Sequence, residues 1–105
     1  MGDHLDIDVI HDQGVTTLAV QGELDPSTVP ELDQAVEAAL SKEGLDQVLI
    51  DLAGVAFIDS SGLSALLDAH NHGQQQGIQV LVTRPSQQCE RLLSATNLTH
   101  LMADQ

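Results

Sequence analysis

Two apolar runs, Val48-Leu49-Ile50 and Ile78 to Val82, flank a stretch in which Leu63, Leu66 and Leu67 recur at helical spacing. Each run is continuous rather than alternating, as an interior strand covered on both faces tends to be. A strand, a helix and a second strand in this order close as a right-handed parallel crossover. That unit limits the fold more than any other part of the chain. Ile50 is joined to the helix by a short loop and the polar step Asp59-Ser60-Ser61-Gly62. The helix is expected from about Ser60 to Asn71 or a little further, ending before Gly77.

The flanking segments extend this unit. Leu5, Ile7 and Val9 alternate with Asp6, Asp8 and Ile10, the period of a strand with one buried face. His11-Asp12-Gln13-Gly14 supplies turn residues, and Val15 to Val20 resumes a β-branched run, so the two pair as a hairpin. Gly22-Glu23-Leu24-Asp25-Pro26 ends that run. A helix follows with two possible starts: Asp25 as cap with Pro26 at the first helical position, or Thr28 as cap with Glu31 completing a capping box. Val29, Leu32, Val36, Ala39 and Leu40 form its apolar stripe, with Lys42 and Gly44 at its end. Pro85 and Ser86 open a last helix carrying Cys89, Leu92 and Leu93. Asn97 closes it, since Asn tolerates the left-handed conformation, and Leu98, Leu101 and Met102 pack back as a tail. The order β-β-α-β-α-β-α predicts a single α/β domain over residues 1–105, its core at about 5–102. Its four-stranded mixed sheet has an antiparallel N-terminal hairpin, then parallel strands, and is covered by helices.

Composition narrows the functions available. For 105 residues and 11.1 kDa, area scaling predicts a folded surface of about 5,700 Å², roughly 65% of the unfolded surface being buried. Phe57 is the only aromatic residue, so bases have almost no stacking platform. Three Lys and Arg (Lys42, Arg84, Arg91) stand against 16 Asp and Glu, a formal net charge of −13. Nucleic acid and direct membrane binding are therefore disfavoured, and a basic or mixed protein surface is the better partner. Cys89 stands alone, which fits a reducing compartment, and no leader or long apolar span is legible. A cytoplasmic protein is expected.

The Asp59-Ser60-Ser61-Gly62 step places two hydroxyls where a helix begins and backbone N–H groups lack intrahelical partners. It suits capping, with Ser60 expected as the cap, anion binding or phosphorylation. A serine nucleophile lacks support: the pattern is not Gly-x-Ser-x-Gly, and no histidine is set by a motif to act as base. No catalytic residue, cofactor or metal is assigned. His70 and His72, two apart on a helix, point to different sides. With His4, His11 and His100 they read as scattered surface residues, and Cys89 reads as a small buried apolar one.

With these residues laid out, the chain resembles the STAS domains of the bacterial anti-sigma factor antagonist family, from about Leu5 to Met102. Gly22-Glu23-Leu24-Asp25 is similar to the family's segment between second strand and first helix. Val55-Ala56-Phe57-Ile58-Asp59-Ser60-Ser61-Gly62-Leu63 is similar to its most diagnostic motif. The resemblance implies a transcription regulator that works by partner switching, not an enzyme. The unphosphorylated form would bind an anti-sigma factor with serine kinase activity and so release sigma factor. Phosphorylation of Ser61 would switch binding off, and a separate metal-dependent serine phosphatase would reset it. Asp25, Asp59, Ser60, Ser61 and Gly62 are the partner-binding residues carried over by position. The alternative is a non-phosphorylated STAS scaffold, such as an accessory subunit of a lipid transporter or a signalling complex. Scaffolds of that kind often lack the second serine. Sparse Lys and Arg, and Asn97 where relatives commonly carry Gly, are the departures from the family pattern.

Phosphorylation adds about −1.5 to −2 charges. The helix dipole would favour it by roughly 0.3–1 kcal/mol. Against a carboxylate at ~6 Å it would lose about 0.7 kcal/mol in water and about 3 at an effective dielectric of 20. No Lys or Arg lies nearby in sequence to clamp it. A switch that acts at the interface, where a partner would have to desolvate a dianion, is the expected mode.

Overall fold

The computed structural model describes residues 5–103. Strands β1 (Asp6–Asp12), β2 (Val15–Leu24), β3 (Gln47–Ile58) and β4 (Gln79–Thr83) alternate with helices α1 (Val29–Leu40), α2 (Ser60–Gln75) and α3 (Gln87–Ala95), and a 3₁₀ turn spans Thr99–Leu101. The sheet order is β1-β2-β3-β4, antiparallel between β1 and β2 and parallel thereafter. This is the single mixed α/β domain that the element order predicted. Its accessible surface, 5805 Å², agrees with the area expected for a folded chain of this length.

The hairpin turn uses Gln13 (φ +50°) and Gly14 (φ +85°) between the paired residues Asp12 and Val15. Two successive left-handed residues are what a tight two-residue hairpin needs to match strand twist. β1 departs from expectation. Leu5 is buried and Ile7 partly so, but Val9 and Ile10 are 51% and 56% exposed. As the edge strand it is paired on one side only, and the core reaches its first residues alone.

Alternate residues of the central strands are buried: Thr16, Leu18 and Val20 on β2, Val48, Ile50 and Leu52 on β3, Val80 and Val82 on β4. Their neighbours Thr17, Ala19, Leu49, Leu81 and Thr83 are half-buried. The continuous apolar runs therefore do not mark strands buried on both faces. One face carries the core, joined to Leu32, Val36, Leu63, Leu66 and Leu93 of the helices. Leu49 and Leu81 lie in register on the other face.

Both central strands outrun their sequence limits. β2 continues to Leu24 instead of ending at Val20, and β3 continues to Ile58 where a loop was expected after Ile50. Backbone pairing carries them: Gln21, Gly22, Glu23 and Leu24 align with Gly54, Val55, Phe57 and Ile58 across two register shifts. Gly22, at φ +127°, occupies the second shift, a backbone state that side chains disfavour. β4 pairs with β3 only as far as Thr83 opposite Asp51, so the end of β3 has β2 on one side alone. On the other side the Ile58 N–H donates to Gln88 Oε1 of α3, at 3.1 Å.

Helix ends follow local chemistry. α1 starts after Thr28, but the capping box does not form: Glu31 Oε1 instead accepts from the Leu5 N–H at 3.1 Å. Lys42 lies beyond the last turn of α1, which ends at Leu40. α2 ends before Gly77, with the Ile78 N–H donating to Gly73 O at 2.8 Å. α3 is capped by Ser86, which accepts from the Cys89 N–H, and Asn97 (φ +63°) closes it as predicted. Cys89 is buried at 1% exposure, and burial pushes its thiol pKa up. Leu101 is buried, and Met102 bridges to Val82 on the β4 edge.

Candidate functional site

The parallel pairing of Leu24 with Ile58 brings the ends of β2 and β3 side by side, so the loops that follow them adjoin. The Asp59 N–H donates to Leu24 O at 3.2 Å, which ties the loops together. Asp25 and the Asp59–Gly62 turn are thus neighbours, as the two sequence segments required. Asp25, Asp59 and Ser61 are half-buried, Ser60 is exposed and Gly62 is buried.

The cap of α2 is Asp59, not Ser60. Its Oδ1 accepts from the N–H groups of Ser61 (2.9 Å) and Gly62 (3.2 Å), and the Leu63 N–H donates to Asp59 O at 3.0 Å. A carboxylate serves better than a hydroxyl here because it carries the charge that the helix N-terminus attracts. Three of the first N–H groups are thereby taken, so a phosphate or nucleotide would have to displace Asp59 to use them. Ser60 is left exposed at the first helical position, and the half-buried Ser61 follows it.

Gly62 explains the close seat of this turn. A Cβ there would lie 2.8 Å from Ile58 Cγ1, 2.8 Å from Leu24 Cβ and 3.1 Å from Leu24 O. Only a residue without a side chain lets the first turn of α2 rest on the ends of both strands.

The adjoining loop is fixed by its own polar groups. Asp25 Oδ1 accepts from the Ser27 hydroxyl (2.7 Å), the Ser27 N–H (3.0 Å) and the Thr28 N–H (3.2 Å). The Ser27 hydroxyl is the main cause holding the Asp25 carboxyl below its usual pKa, with the backbone donors adding to it. Thr28, fully buried, donates from Oγ1 to Glu23 O at 2.6 Å and accepts from the Asp25 N–H at 3.1 Å. The sequence offered Thr28 only as a helix cap, and its cross-link from strand end to loop was not legible. Phe57, 39% exposed, stands on the same strand end opposite Glu23.

Two of the fixed cations are placed elsewhere. Arg84 approaches Asp51 at 3.7 Å, where β4 ends. Lys42 lines a small cavity with His11 and Asp12 at the start of the parallel strands. Arg91 lies on the exposed side of α3. The site is thus an acidic rim around two hydroxyls and one aromatic ring.

The histidines are less scattered than expected. His70 is half-buried, its Nδ1 lies 2.8 Å from Val80 O, and its ring meets that of His100 at 5.6 Å between centres. Among the described residues, no three or more His, Cys, Asp or Glu are grouped to hold a metal ion. No helix among them is long and apolar enough to cross a membrane.

Known proteins share this fold. The STAS domain model matches residues 6–104. The chain is similar to the anti-sigma-B factor antagonist of Staphylococcus epidermidis, 31% identical over 94% of this chain and 91% of the relative. It is also similar to a crystal structure of an anti-sigma factor antagonist from Mycobacterium paratuberculosis, with 29% identity, a TM-score of 0.78, and coverage of 98% of this chain and 86% of that one. The fold is that of the anti-sigma factor antagonist SpoIIAA, known in an unphosphorylated form (17% identity, TM-score 0.77, 96% and 87% covered) and, from Bacillus, in a phosphorylated form (17%, 0.72, 96% and 90%). By the extent of the STAS match and the identity to its relatives, this chain belongs to the STAS domain family, among anti-sigma factor antagonists.

Proposed function

We propose that the chain is a partner-switching anti-sigma factor antagonist whose binding face is the Asp25 loop together with Asp59, Ser60, Ser61 and Gly62. Unphosphorylated, it binds an anti-sigma factor that is also a serine kinase and thereby frees sigma factor. Phosphorylation of Ser61 ends binding, and a serine phosphatase restores it. The observation that carries this reading is the position of Ser61. Its hydroxyl stands on the first turn of a helix whose cap is already satisfied by Asp59, and the hydrogen bonds that build that turn use the Asp59 carboxylate and backbone groups, not the Ser61 side chain.

The mode of switching follows from the surroundings. Asp59 holds the N–H groups of the helix start and Asp25 is fixed nearby, so a phosphate on Ser61 meets carboxylates, and no Lys or Arg adjoins it in sequence. At ~6 Å each such pair repels by about 0.7 kcal/mol in water and about 3 at an effective dielectric of 20. A partner covering the site would desolvate that charge, which costs several kcal/mol unless it supplies cations of its own. The fold itself is left in place.

The test is a pull-down of the anti-sigma factor from the same organism in ATP and in ADP, using wild type, Ser61→Ala and Ser61→Asp. Wild type is expected to release its partner in ATP, Ser61→Ala to hold it in both nucleotides, and Ser61→Asp to bind in neither. Equal binding by all three proteins refutes the switch and leaves a constitutive scaffold as the function.

A further inference from the structure

His70 and His100 are thirty positions apart in sequence, on α2 and on the 3₁₀ turn, yet their rings meet at 5.6 Å with planes at 78°. His70 is also oriented. Val80 O has only lone pairs to offer, so the Nδ1 atom 2.8 Å from it carries the proton and donates. The lone pair of His70 is therefore on Nε2, and a neutral imidazole held by a backbone carbonyl on its other nitrogen is the arrangement that metal-binding histidines adopt. Two imidazoles bound at about 2.0–2.1 Å to one tetrahedral ion have ring centres roughly 5 Å apart. The observed separation of 5.6 Å is close to this, and the exposed His100 is the ring that can turn to bring its nitrogen round.

We propose that His70 and His100 form a two-histidine site for a divalent transition metal ion, with Zn²⁺ as its natural occupant. Imidazole nitrogen suits that ion, and water completes its coordination. Two protein ligands make an exchangeable site, not a structural one. Its consequence is local. The C-terminal segment meets the β4 edge through the Met102–Val82 bridge and an Ala103 N–H to Val82 O bond of 2.7 Å, and a metal ion joining His100 to α2 staples that segment down.

The test is calorimetric titration of the metal-free full chain with Zn²⁺ near pH 7.5, beside histidine side-chain NMR. Wild type is expected to bind one ion saturably, with the resonances of His70 and His100 shifting and amide exchange slowing at Met102 and Ala103. His100→Gln should weaken binding about tenfold or more. His70→Gln, whose amide can still donate to Val80 O, should do the same with its melting temperature checked against wild type. His72→Gln and His11→Gln should bind as wild type does. No saturable binding, wild-type affinity in His100→Gln, or an equal loss in His72→Gln each overturns the site. So does weak uptake of several ions that no histidine substitution alters, which would mark the acidic surface as the binder.

Discussion

Replacing Gly62 by alanine tests the geometry that seats the candidate site. Alanine is favoured over glycine in a helix by about 0.8–1.0 kcal/mol, so propensity alone predicts a gain. The added Cβ would lie 2.8 Å from both Ile58 Cγ1 and Leu24 Cβ, whereas carbon atoms pack at about 3.5–4.0 Å. Roughly 0.7 Å must therefore open between α2 and two strand ends. Leu24 has little room to give way: it is fully buried, and its carbonyl holds the Asp59 N–H. Overpacking of this kind costs about 1–3 kcal/mol, and weakening the Asp59–Leu24 bond adds about 0.5–1.5. The expected net loss is about 1–3 kcal/mol, measured by urea unfolding, with Tm falling about 4–8 °C for each kcal/mol. Ser64→Ala, exposed two residues on in the same helix, is the control and should be neutral or slightly stabilising. A Gly62→Ala protein as stable as wild type would refute the reasoning.

Four further outcomes follow from the same structure. Asp59→Ala should lose about 1 kcal/mol with the cap, and Asp59→Asn should keep most of it, both read by thermal melts. Thr28→Val should lose about 1–3 kcal/mol in urea unfolding, since Glu23 O and the Asp25 N–H lose their buried partner. The pKa of Asp33 is raised by burial first, then by Asp68 and Glu37. The fold thus prefers its protonated form, so its contribution is best below the unfolded pKa of about 3.9 and is lost as pH rises through the folded value. Asp33→Asn, and for the same repulsion added NaCl, should raise Tm at neutral pH. Asp25 has the opposite sign: its depressed pKa gives stability above the unfolded value that is lost as pH falls through the folded one. Ser27→Ala should make that acid-side decline shallower in pH-dependent unfolding.

The sequence was readable where one residue's chemistry decides the local backbone. The Gln13-Gly14 turn, the Ser86 cap, the Asn97 stop and the Asp59–Gly62 step all fall where side-chain patterns put them. Strand lengths were less readable. Residues from Leu52 to Ile58 include Ala53 and Gly54 and break alternation, and backbone pairing with a distant β2 holds them extended. The capping box failed for a related reason, because Glu31 had a long-range partner in Leu5 that no local motif encodes. Within the candidate site, the adjacency of Asp25 to Asp59 was legible from two separate motifs. The choice of Asp59 over Ser60 as cap was not, since both residues cap helices well. The encounter of His70 with His100 depends on how the C-terminal turn folds back, which spacing along the chain does not record.

The unequal lengths of β3 and β4 have a dynamic consequence. Between Gln47 and Asp51 the third strand is bonded on both sides, but from Leu52 onward it is a two-strand ribbon whose open edge is met by the Gln88 side chain. Such a ribbon breaks fewer bonds when it opens than the four-stranded floor beneath it, so its amides belong to a lower-energy exchange unit. The candidate site stands at the tip of that ribbon. A partner gripping it therefore bears on the exchange unit that opens first, while the four-stranded floor stays closed.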